Sequence, residues 1–105
     1  MRKPTPREEQ YSWHAKAIRG ERPPIWDGHP MCGYYLCRLV ARGALVPGSI
    51  WLEQIVDEET GELVEDERYR AEILGEEVEP NEAWLWLSKR PICRLEYMRR
   101  LGEIF

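Results

Sequence analysis

Apolar and polar positions near-alternate through the middle of the chain and fall at helical spacing toward both ends. Over residues 33–41, Tyr35, Cys37, Leu39 and Ala41 alternate with Tyr34, Leu36, Arg38 and Val40, which predicts a strand with neither face plainly polar and both partly covered. Arg42-Gly43 turns the chain. The next run, 44–56, carries Leu, Val, Ile and Trp51 but contains Pro47-Gly48; proline has no N–H for a ladder, so a bulge or an edge is expected before pairing resumes at 50–56. Asp57-Glu58-Glu59-Thr60-Gly61 reads as a hairpin loop, a type I turn followed by a left-handed Gly61, leading to a short run at 62–64. A strand at 69–74, a turn at Gly75-Glu76 and a stub at 77–79 complete an antiparallel meander over 33–79.

Near the N-terminus, Thr5-Pro6-Arg7-Glu8 has the form of a capping box, with Thr5 as cap, Pro6 at the first helical position and Glu8 reaching back. A helix is expected over 6–19, stopped by Gly20, with residues 1–5 flexible before it. Tyr11, Ala15 and Ile18, with Trp13 and Ala17, form its packing stripe. The Pro and Gly residues of 21–33 exclude regular structure, and Ile25 and Trp26 are expected to pin that loop onto the sheet. An exposed Trp26 serving as an anchor for a partner is the alternative. Glu79-Pro80-Asn81-Glu82 opens a short second helix through Ala83, Trp84, Leu85, Trp86 and Leu87, and Lys89-Arg90-Pro91 breaks it. A third helix is expected over 92–101, with Ile92, Leu95, Tyr97, Met98 and Leu101 inward and its arginines near the C-terminal end, where the helix dipole favours them. The fold class is α+β: a small antiparallel sheet or open barrel of four to five strands, with an N-terminal helix and two short C-terminal helices packed on it.

At 105 residues, 43% hydrophobic and 32% charged, with five Trp and five Tyr, the chain suits a single globular domain and is too aromatic to be disordered. The charged N-terminus lacks the apolar core of a signal peptide and no stretch approaches a spanning helix, so a cytoplasmic location without membrane contact is expected. Cys32, Cys37 and Cys93, an odd number, then read as reduced thiols. The net charge of -4 is unevenly spread: residues 1–42 hold eight Lys/Arg against four Asp/Glu, 43–88 two against thirteen, and 89–105 five against two. The central acids repel nucleic acid and attract basic partners, or serve only to solvate a hairpin.

None of the catalytic patterns is complete. His29, Cys32 and Cys37 with a distant Cys93 give His-x2-Cys-x4-Cys, too loose for the paired knuckles of a structural zinc site, so no metal and no cofactor is expected. His14 and His29 are the only bases available to a cysteine nucleophile, and nothing but the nearness of His29 to Cys32 in sequence joins them. Glycine-rich phosphate loops are absent. Arg38, Arg42, Lys89, Arg90, Arg94, Arg99 and Arg100 with Tyr34 or Trp86 have the elements of a nucleic-acid patch, against which stands a pI near 5.3. The reverse arrangement, an acidic block that imitates a phosphate backbone and fills a basic groove, follows from the same electrostatics with the sign exchanged.

Three segments, PPIWDGHPMCGYYLCRLVARGALVPGSIW, DEETGEL and NEAWLWLSKRPICRLEYMRRL, resemble a family of small uncharacterised proteins encoded by tailed phages and bacterial prophages. The likeness covers roughly residues 12–101 and rests on turns and aromatics. The chain departs from the family's pattern at Ala44-Leu45, where Pro-Trp is usual before Val46-Pro47, and at Cys93, where Ser is usual. The resemblance implies a phage-derived protein acting inside a bacterium. The expectation is a non-enzymatic accessory protein that binds another protein, for instance inhibiting a host nucleic-acid-handling or defence complex. Its contacts are expected at Trp26 and at the acids Asp57, Glu58, Glu59, Glu62, Glu65, Asp66, Glu67, Glu76, Glu77 and Glu79. The alternative is a minor structural or assembly component of the particle, using the Trp84/Trp86 patch.

Overall fold

A computed structural model describes residues 3–26 and 28–104. In chain order the elements are helices α1 (Arg7–Gln10) and α2 (Ser12–Ile18), strands β1 (Gly33–Arg38), β2 (Leu45–Glu53), β3 (Arg68–Ile73) and β4 (Glu76–Val78), helix α3 (Pro80–Leu87), strand β5 (Pro91–Ile92) and helix α4 (Arg94–Ile104). The strands form one open antiparallel sheet in the order β4-β3-β2-β1-β5. The fold is therefore α+β, as the alternation and the helix signals predict.

Helices cover both faces of the sheet. On one, Tyr35, Cys37, Ile50, Ala71 and Ile73 pack with Trp13 of α2 and with Ala83, Trp84 and Leu87 of α3, all nearly inaccessible. On the other, Tyr34 and its register partner Ser49 face Tyr97 of α4, with the Tyr34 and Tyr97 rings 4.9 Å apart and the Tyr97 hydroxyl 3.4 Å from Ser49 Oγ. This second layer is why β1 has no polar face. Leu39, beyond the strand's end, is exposed, and Trp51 is only partly buried, so neither is a core residue.

Pro47-Gly48 makes neither bulge nor edge: β2 runs unbroken through both residues as the central strand. The β2–β3 pairing stops at Gly48 opposite Ile73, so proline's missing N–H falls where β3 is already leaving the sheet. There Pro47 O accepts from Leu74 N at 3.1 Å, and Leu74 and Gly75, both at positive φ, turn the chain into β4. Gly48 lies under α3. A Cβ built on it would stand 2.8 Å from Leu87 Cδ2 and 3.2 Å from Glu72 O, so glycine sets how closely helix and sheet approach.

The helices differ from expectation in three places. The helix expected over 6–19 divides at Tyr11, and no capping box forms, because Thr5 gives both its N–H and its hydroxyl to Glu67. The buried stripe is Trp13 and His14 with part of Ala17, while Ala15 and Ile18 are exposed. The helix expected from residue 92 starts at Arg94, because Pro91-Ile92 pairs with Tyr34-Tyr35 as β5. Running on to Ile104, α4 leaves Arg99 and Arg100 in mid-helix, bonded to Glu96 and Glu103 rather than to the helix end. Leu95 and Met98 stand exposed on it.

Gly48→Ala is expected to lower stability by about 1–3 kcal/mol through overpacking against Leu87. Gly102→Ala in α4, where an added Cβ meets nothing within 4 Å, is expected to be neutral or to stabilise by up to about 1 kcal/mol. Urea denaturation of the two variants checks the pair.

Candidate functional site

Asp57–Gly61 folds as the hairpin its residues predict. Asp57 Oδ1 accepts from Glu59 N at 2.8 Å and Thr60 N at 3.4 Å, and Gly61, at φ 72°, returns its N–H to Asp57 O at 2.8 Å. A single bridge, Val56 with Leu63, closes the hairpin, and Leu63 is its one buried apolar side chain. Below it, Glu67 is not a solvated acid. Its carboxylate accepts from Thr5 N at 3.1 Å, Thr5 Oγ1 at 2.7 Å and Gln54 Nε2 at 2.6 Å, joining both sides of the hairpin's root to the N-terminal segment.

The eleven residues singled out in the sequence thus separate by role. Asp57 shapes the turn and Glu67 ties its root. Glu77 is ion-paired with Arg70, which also holds Glu53, and Glu79 caps α3 by accepting from Glu82 N at 2.9 Å. Asp66 is exposed. Glu58, Glu59, Glu62, Glu65 and Glu76 make no ion pair among the described residues, and all but the half-buried Glu62 are exposed. The hairpin also presents apolar surface that reading for charge alone missed: Ile55, Val56 and Val64 are 44%, 38% and 60% exposed. Their signal is the β-branched residues placed directly beside the acids.

Trp26 is on a different feature. The loop between α2 and β1 was expected to pin itself with Ile25 and Trp26, yet these side chains are 49% and 61% exposed. Its backbone is pinned instead: Trp13 Nε1 donates to Pro24 O at 2.8 Å and Trp84 Nε1 to Trp26 O at 3.1 Å. Between this loop, α2 and the end of α3 lies a cleft of about 520 Å³ with apolar walls from Trp13, Ala17, Pro23, Ile25 and Pro91. Arg22 is the one charged residue that lines it, and Ser88 the one hydroxyl. The sequence hint was the run Pro23-Pro24-Ile25-Trp26, too apolar for a loop with nothing to do.

Among the described residues the thiols and imidazoles do not gather as a set of metal ligands. Cys32 and Cys37 are buried while Cys93 and His29 are exposed, and among the described residues no three of His, Cys, Asp and Glu stand together as metal ligands. Burial pushes the Cys32 thiol up to about 11 and the Cys37 thiol upward too, which leaves both poor nucleophiles. His14 instead joins elements: its Nε2–H donates to Ile92 O at 2.7 Å and Tyr34 O at 3.2 Å, docking α2 against β5 and β1. Trp84 is fully buried, so an aromatic patch built on α3 retains only Trp86.

Comparison with protein-family models, with curated proteins and with solved structures finds no match to this chain. No helix among the described residues is long and apolar enough to cross a membrane.

Burial holds the His14 imidazole below its ordinary value of 6.5, against the two backbone hydrogen bonds, which act the other way. The folded state therefore binds fewer protons than the unfolded chain in this range. Stability is complete above about pH 6.5 and falls as the pH drops toward the folded-state value. Thermal unfolding is expected to show a lower Tm at about pH 5.5 than at about pH 7.5, and His14→Gln is expected to flatten that dependence.

Proposed function

We propose that this protein is a non-enzymatic binding module whose hairpin, residues 55–65, engages a basic surface on a partner protein. The observation that carries this reading is the pairing of Ile55, Val56 and Val64, all exposed, with Glu58, Glu59, Glu62 and Glu65, which make no ion pair among the described residues. Carboxylates without local cations keep their field for a partner and steer its approach, while apolar side chains supply the area that holds the complex once formed. A hairpin built only to solvate a turn has no use for three β-branched residues in water. Trp26 adds a separate apolar anchor on a backbone fixed by two indoles.

The resemblance to phage-encoded proteins supplies a setting, a bacterial cell in which such a module occupies the basic groove of a nucleic-acid-handling or defence complex. The alternative role in particle assembly through α3 has less support, since of its large apolar side chains only Leu85 and Trp86 are exposed.

Affinity capture from a bacterial lysate with the wild-type chain is expected to retain a partner whose binding weakens as salt rises. Replacing Glu58, Glu59 and Glu62 with Lys is expected to slow association at least tenfold, and Val64→Asp to speed dissociation, with Tm little changed in each because these side chains hold nothing in the fold. Association unaffected by the triple charge reversal defeats the electrostatic half of the reading, and dissociation unaffected by Val64→Asp defeats the apolar half.

A further inference from the structure

We propose that the cleft between α2, the 20–25 loop and the α3–β5 junction binds a small carboxylic acid with an apolar body. Its volume of about 520 Å³ falls within the roughly 300–1,000 Å³ usual for small-molecule sites, and its make-up matches theirs: apolar walls with a few polar groups. Trp13 presents carbon only, because its indole N–H is already given to Pro24 O. Pro23, Ile25, Ala17 and Pro91 add no hydrogen-bonding side chain, so the body of the ligand is apolar.

The polar groups select the head. Arg22 lines the cleft, lies exposed at the surface, and makes no ion pair among the described residues. The neighbouring acid Glu21 is taken by Arg19 at 2.7 Å. No Asp or Glu lines the cleft, which is notable in a chain of net charge -4. Ser88 lines it as well. The residue is only 4% exposed, and since no buried side-chain polar atom among the described residues lacks a partner, its unengaged hydroxyl is one that opens to the cleft. A guanidinium and a serine hydroxyl are both donors to a carboxylate, and the guanidinium can take it with two parallel N–H groups. An amine would meet Arg22 with like charge, and an uncharged apolar molecule would leave both donors unused. The site is distinct from the acidic hairpin and does not depend on the function proposed for it.

The test is titration of the 15N-labelled protein with 4-phenylbutyrate, using its uncharged amide, 4-phenylbutyramide, as control. Saturable shifts are expected at the Trp13 indole N–H and the Ser88 amide, with the amide ligand and the Arg22→Gln variant each binding at least tenfold more weakly, as loss of a charge-assisted hydrogen bond implies. Arg22 is exposed and unpaired, so the variant is expected to fold, as its unshifted spectrum away from the cleft will verify. The proposal fails if 4-phenylbutyrate produces no saturable shift at Trp13 and Ser88 at millimolar concentration. It fails equally if the amide binds as well as the acid, or if Arg22→Gln binds as tightly as wild type.

Discussion

Everything on the α2–α3 face follows from burying two indoles against one tyrosine. Trp84 is wholly inaccessible, with its ring 5.0 Å from that of Trp13 and 5.8 Å from that of Tyr35, both edge to face. Such contacts favour the fold, but each indole brings an N–H that costs about 1–3 kcal/mol if left unpaired in a dry core. Both are satisfied by one segment, at Pro24 O and Trp26 O. Two inward carbonyls, two residues apart, thus fasten the segment to the core although it belongs to no strand. The core thereby fixes a loop that has no regular structure, and that loop forms one wall of the cleft.

The parts of the fold legible in the sequence are those set by local chemistry. The Asp57 turn with left-handed Gly61, the start of α3 at Pro80 and the alternation through β1 each depend on residues close in sequence. What could not be read depends on distant partners. Thr5 has the form of a helix cap, but a carboxylate 62 positions away offers it two bonds in place of one. Pro47 looks unfit for a central strand until the end of β3 removes the acceptor that would have needed its N–H. β5 is two residues long, and no periodicity can reveal a strand of that length. Its partners are decided by where His14 and α2 hold the neighbouring backbone.

The candidate sites divide in the same way. Acidity along 57–67 is plain in the sequence, but which acids are available to a partner is a tertiary property. Asp57, Glu67, Glu77 and Glu79 are drawn into a turn, a root, an ion pair and a cap. Each serves a backbone N–H, a neutral side-chain donor or a cation within the fold, so a count of acids overstates the charge that can be offered outward. The cleft was still less legible, because Arg22 and Ser88 are 66 positions apart and meet only once α2 and α3 share a face.

The hairpin and the cleft are held by separate sets of bonds, and that bears on how they act. Glu67, Gln54 and Thr5 hold the first; the two indoles hold the second. A path connects them: Thr5 O also accepts from Gln10 Nε2 at 2.7 Å, and Gln10 ends the short helix before α2, which carries Trp13. Contiguity alone is not coupling, which requires an element with two arrangements that both sites bias. Along this path the chain breaks at Tyr11 between α1 and α2, where a strain at Thr5 can be taken up by one residue's dihedrals before it reaches Trp13. Among the described residues the hydrogen bonds that hold the two surfaces use different side chains, so perturbations of the two are expected to add rather than interact.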